Sequence, residues 1–151
     1  GLTLLDLEIT DVTDAGLVHL RELTDLRLLG LSSTEVTDAG LEHLKGMQNL
    51  KTLYLNDTQV TGTGLEDLKE LTSLKILSLQ NTEMADAGAV HLQVLTGLQS
   101  LNLRTTEMTD AGLEHLKGLT SLESLNLINT KVTSAGVKHL QTALPKCKII
   151  K

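Results

Sequence analysis

The chain has 151 residues, 21% of them charged, and a formal net charge of −6, which fits one soluble domain and disfavours general binding to a phosphate backbone. Its apolar runs are only a few residues long, too short to span a bilayer, and no basic stretch followed by an apolar segment marks a signal peptide. A single Cys, Cys147, excludes an intramolecular disulfide framework and a Cys-based zinc site.

Leucine dominates: 35 residues, against one Tyr and no Phe or Trp. One side chain used so heavily points to one packing problem solved repeatedly. A period of 24 aligns the chain without a gap. Leu2, Leu26, Leu50, Leu74, Leu98 and Leu122 fall in one column, and Leu5 and Leu7 begin two more. Columns of Thr, starting at Thr10, and of Gly, starting at Gly16, follow. Six units of L-x-x-L-x-L-x-x-T-x-V-T-D-A-G-L-x-H-L-K-x-L result, at 2–25, 26–49, 50–73, 74–97, 98–121 and 122–145. A capping strand over 146–151 closes a single domain covering 1–151.

The first unit begins directly at its strand, with no polar capping segment before Leu2. An uncapped solenoid end exposes apolar edge and unpaired peptide groups. The expectation is a fragment or tail of a longer protein, with self-association through that end as the alternative. In the second unit, Leu29-Gly30-Leu31 alternates with period 2, as a strand with one buried face does. Thr37 to Gly46 then predicts about two turns of helix. Thr37 is the candidate N-cap, Asp38 suits the helix dipole, and Gly46 and Gly118 suit helix ends. Leu41, Leu44 and Met47 recur at spacing three, near one face.

Strand, turn, helix and return fit into 24 residues only if all strands run the same way. The fold class is therefore α/β, with a parallel sheet and one strand per coil. A single coil buries too little to offset ordering its own backbone, so the units must stack. The repeated Gly lies early in a helix, where it is unfavourable relative to Ala, and a Cβ there is expected to strike the adjacent coil. The column containing Thr34 is expected to satisfy peptide groups at the sheet exit and to bond from coil to coil. The fourth unit departs from the pattern: Ala85 replaces the capping Thr and Ala89 replaces Leu. Val90 and Val94 there read as drift, with a convex contact patch as the alternative.

Val36-Thr37-Asp38-Ala39-Gly40-Leu41, repeated from Val12 to Leu17, resembles the leucine-rich repeat family, specifically a bacterial V-T-D-A-G-L subclass similar to ribonuclease-inhibitor-like arrays. The resemblance covers residues 2–144, and Ala143 to Ile149 is similar to the family's closing cap. It implies a right-handed solenoid arc, with a concave parallel sheet and convex short helices. It also implies protein binding and brings no catalytic residues.

The residues between buried leucines face outward on the sheet. One row is Leu4, Leu28, Thr52, Ile76, Ser100 and Ser124. The central row contains Asp6, Gly30, Tyr54, Ser78, Asn102 and Asn126; the third contains Glu8, Ser32, Asn56, Gln80, Arg104 and Ile128. Six strands span about 24 Å, enough for a small protein epitope. Partner contact is expected from Asp6, Glu8, Ser32, Tyr54, Asn56, Ser78, Gln80, Asn102, Arg104, Asn126 and Ile128. Tyr54, the only aromatic, with Asn56, Asn102 and Arg104, forms the expected hot spot.

The histidine column (His19, His43, His91, His115 and His139, with Asp67 in the gap) reads as an exposed helix flank copied with the unit, and no metal is expected. No acid pair, Ser-His-Asp order or Cys-His arrangement stands apart from the repeat. The reading is a non-enzymatic module binding a protein or peptide, without cofactor, nucleic acid or membrane. The alternatives are a structural, targeting or sensor segment attached to an N-terminal enzyme, and a carbohydrate-binding surface.

Overall fold

The computed structural model describes residues 1–151. Seven three-residue strands form one parallel sheet in sequence order. They are β1 Leu4–Asp6, β2 Leu28–Gly30, β3 Thr52–Tyr54, β4 Ile76–Ser78, β5 Ser100–Asn102, β6 Ser124–Asn126 and β7 Lys148–Ile150. The register advances one repeat per strand, so Leu5, Leu29, Leu53, Leu77, Leu101, Leu125 and Ile149 lie side by side. The inward leucines of successive coils merge into one core. Strands pair at about 4.8 Å while packed helices need more room, so the sheet takes the inner side of the arc.

The helical segments differ from the predicted two-turn helices. In the second and third coils they are 3₁₀-helices, Asp38–Leu44 and Thr63–Glu70. In the first and fifth, single α-turns, α1 Asp14–Leu17 and α3 Asp110–Leu113, continue as 3₁₀ turns. Only α2 Asp86–Leu92 and α4 Ser134–Ala143 are α-helical throughout. A 3₁₀-helix rises about 2.0 Å per residue against 1.5 Å for an α-helix, so the same number of residues spans more of the coil. Gly46 and Gly118 do not take left-handed conformations at the helix ends; Gly62, with φ 108°, is the glycine that does.

The Gly column behaves as the repeat predicts. A Cβ on Gly64 would lie 2.7 Å from both Cα and O of Asp38, and one on Gly88 would lie 2.7 Å from Cα of Gly62. At Gly40, Gly112 and Gly136 it would strike the carboxylates of Asp14, Asp86 and Asp110 one coil back. Gly16 has only Val12 Cγ1 within reach, at 3.6 Å.

The threonines at the sheet exit do not bond between coils. The hydroxyls of Thr34, Thr58, Thr82 and Thr106 donate to carbonyls three residues earlier, at 2.6–2.7 Å, closing the turn inside their own coil. The link between coils is the Asp of the D-A-G motif. Asp14 accepts from the Thr37 hydroxyl at 2.6 Å and its N–H at 2.8 Å. Asp86 does the same with Thr109, and Asp110 with Thr133. Asp38 accepts from Thr61 (hydroxyl 2.5 Å, N–H 3.1 Å) and from the Thr63 hydroxyl at 2.6 Å. Thr37 therefore serves twice: its oxygen also accepts from Ala39 N–H at 3.3 Å as an N-cap.

One junction lacks this link. Gly62 stands where the third coil would carry the Asp, and Ala85 stands where the fourth would carry the Thr, so both partners are missing at the same interface. The loss of the capping Thr at Ala85 is thus matched by the loss of its partner at Gly62. A Cβ on Gly62 would sit 2.9 Å from Gly88 Cα, so backbone packing replaces the side-chain bridge there.

A second column was not anticipated. Ile9, Ser33, Asp57, Asn81, Thr105 and Asn129 all have φ between 53° and 58°. Asn and Asp tolerate this left-handed turn, whereas a β-branched residue is strained in it. Ile9 is also 85% exposed. Ile9→Asn is expected to stabilise the chain by about 1 kcal/mol, visible as a higher thermal midpoint. An unchanged or lower midpoint would count against strain at this turn.

Candidate interaction surface

Sheet alternation places the three predicted rows on the concave face, but their side chains divide into two groups. The first forms a relay running from coil to coil. Ser32 donates to Glu8 at 2.9 Å, and the Asn56 amide donates to Ser32 at 3.3 Å. Asn56 Oδ1 accepts from the Ser78 hydroxyl at 2.5 Å and from Gln80 N–H at 3.1 Å. The Asn102 amide then donates to Gln80 Oε1 at 3.4 Å. Ser32 and Ser78 are buried, at 7% and 6% exposure. Both were expected to meet a partner; they instead support the face from beneath, because each hydroxyl is held by a longer neighbour.

Asn56, expected in the hot spot, is likewise half-buried and holds three internal hydrogen bonds. Asp6, Asn102 and Asn126 each accept the N–H of the residue two positions on: Glu8 at 3.0 Å, Arg104 at 3.1 Å and Ile128 at 3.0 Å. These carboxylate and amide oxygens finish the backbone at the strand exits, where ladder partners run out. Complementary residue types one repeat apart, such as Glu8, Ser32 and Asn56, were the sequence signal for the relay.

The second group holds no side-chain hydrogen bond to the rest of the chain. Arg104 is exposed and makes no ion pair, while Tyr54 and Ile128 are half-buried. Beside them in the first row, Leu4 is 56% exposed, and Leu28, Thr52 and Ile76 are half-buried. Tyr54 pairs in register with Gly30 on one side and Ser78 on the other, so the single aromatic ring stands between two small residues.

The histidine column is less exposed than the repeat suggested. His43, His91 and His115 are half-buried, while His19 and His139 are exposed. Helix stacking leans the middle three into the neighbouring coil. His43 Nδ1 accepts from Arg21 Nε at 3.0 Å, and Arg21 also pairs with Glu42 at 3.2 Å. Lys45 pairs with Asp67 at 2.9 Å, and this hydrogen bond raises the pKa of its ammonium. No three His, Cys, Asp or Glu side chains converge in a way that could hold a metal ion.

Burial pushes the Cys147 thiol up, which keeps it protonated and unreactive. It lines a shallow apolar groove with Leu122, Ala143 and Leu144 near the C-terminal end. No helix is long and apolar enough to cross a membrane.

These features define a class of protein: a solenoid of short parallel strands with thin helices outside and an open, polar-braced sheet face inside. A sequence profile described as "Leucine Rich repeat" matches residues 46–69. Among solved structures, an internalin (inlF) from Listeria monocytogenes superposes with TM-score 0.76 at 25% identity, over 95% of this chain and 38% of its own. An internalin C2 from the same organism gives 0.71 at 24% identity, over 97% of this chain and 69% of its own. A leucine-rich-repeat protein of Leptospira interrogans gives 0.68 at 20%, over 89% and 39%. The chain thus spans less than half the length of two of these three. No curated protein matches it in sequence. The chain has the fold of leucine-rich-repeat proteins, and the repeat profile falls on one 24-residue stretch of it.

Proposed function

We propose that the chain is a non-enzymatic interaction module whose concave sheet receives a polypeptide, with Tyr54 as the central anchor and Arg104 two strands further along the face. One observation supports this most: the relay from Glu8 to Asn102 fixes the surrounding side chains while the in-register neighbours of Tyr54 on both flanking strands are small. A rigid, pre-formed face around an aromatic residue loses little conformational freedom on binding. The lone aromatic gives little support to a carbohydrate surface, which would use stacking platforms. Tyr54→Ala and Arg104→Ala should each weaken a concave-face partner by more than about 1 kcal/mol, measured by titration calorimetry with circular dichroism as the folding control. Unchanged affinity in both variants would remove the reading.

A further inference from the structure

The chain carries 13 Lys and Arg against 19 Asp and Glu, so an unpaired cation has many carboxylates available to it. Three cations nevertheless stand in one column without an ion pair: Arg27, Lys51 and Lys75, each immediately before its strand. Adjacent coils place them about 5 Å apart. Arg27 and Lys51 are exposed; the half-buried Lys75 donates to the Gly97 carbonyl at 3.2 Å but meets no carboxylate. An anionic segment laid across these coils would therefore meet one cation per strand.

The column is short and has a defined setting. It ends at Gln99, and its middle member, Lys51, begins the segment Lys51-Thr52-Leu53-Tyr54 that carries the central aromatic residue. Leu28 and Ile76, half-buried, lie one residue further along the flanking strands. Past the strand exits, on the opposite rim, Asp11, Glu35 and Glu83 are exposed and unpaired.

We propose that the cation column Arg27–Lys51–Lys75, together with Leu28, Tyr54 and Ile76, binds an acidic, apolar-containing polypeptide segment laid across β2, β3 and β4. This rests on the concave-face reading above and specifies the chemistry of its partner. Carboxylates on one edge of the segment meet the column, and apolar side chains beside them meet Leu28, Ile76 and the Tyr54 ring. A nucleic acid fits less well: three cations give too short a track for its phosphates, and the acidic opposite rim repels a continuous polyanion.

The test is fluorescence anisotropy of the full chain with a short labelled peptide of Glu, Leu and Ser, a counterpart with Gln for Glu, and an oligothymidylate. The Glu peptide should bind, weaken as salt is raised, and exceed the Gln peptide by about tenfold. Arg27→Glu with Lys51→Glu should abolish that difference, and Arg27→Gln with Lys51→Gln should reduce it, both with unchanged circular dichroism. No binding of the Glu peptide, equal binding of the Gln peptide, or oligothymidylate binding as tightly would each overturn the assignment. If a partner's binding depends on Tyr54 but is indifferent to these charge changes, the concave-face reading stands and the acidic-partner assignment falls.

Discussion

Gly64→Ala is expected to destabilise the chain by about 3 kcal/mol or more, while Gly16→Ala, at the equivalent position of the first coil, is neutral or stabilising by about 0.5–1 kcal/mol. The contrast follows from what a Cβ would meet. At Gly64 it would press on the Cα and carbonyl oxygen of Asp38, both at 2.7 Å. These are backbone atoms that move only if two coils separate. At Gly16 it would make an ordinary contact with Val12 at 3.6 Å, and the helix would gain the propensity of Ala. Urea unfolding of the two single variants measures the difference directly. Equal midpoints would mean that the glycines serve backbone conformation and not the closeness of neighbouring coils.

Asp38→Ala is expected to cost about 2–4 kcal/mol near pH 7, because it removes an acceptor shared by two hydroxyls and a backbone N–H. The same site sets a pH dependence. Burial works against the charge of Asp38, but hydrogen bonds from the side chains of Thr61 and Thr63 and from the Thr61 N–H outweigh it, so its carboxyl is held below its ordinary value of 3.8. Asp110 is lowered in the same direction, chiefly by the Thr133 hydroxyl and then its N–H. A carboxyl lowered by folding binds fewer protons in the folded state than in the unfolded state. Its stabilisation is therefore complete above the ordinary value and disappears as pH falls through the lowered one. The gap in urea midpoint between the parent chain and Asp38→Ala should be full near neutrality and should narrow only below 3.8. A gap that stays constant down to about pH 2 would show that the charge contributes nothing.

Much of the fold was legible because periodicity is a local record of burial. The leucine columns set the strand register, and the Gly column announced close approach between coils. The Asp of the motif was legible only as a dipole partner. Its real partner, a Thr 23 residues away, is a neighbour only after stacking. The left-handed column was foreshadowed by Ser33, Asp57, Asn81 and Asn129, yet Ile9 and Thr105 obscured it. Alternation assigned the predicted side chains to one face of the sheet by spacing alone. It gave no means of separating Tyr54 and Arg104, whose side chains hold no internal hydrogen bond, from Ser32, Ser78 and Asn56, which are occupied.

By itself the sequence determined the repeat, the parallel strands, the inward leucines and the glycines, since each depends on spacing within one unit. Only the tertiary structure decided the helix type, the Asp–Thr links, the missing link at Gly62 and Ala85, and the charge left unpaired at Arg27, Lys51 and Lys75. Those depend on distances between side chains of different coils. A hydrogen bond or ion pair is settled within a few tenths of an ångström, a scale that a pattern of residue types along the chain does not encode.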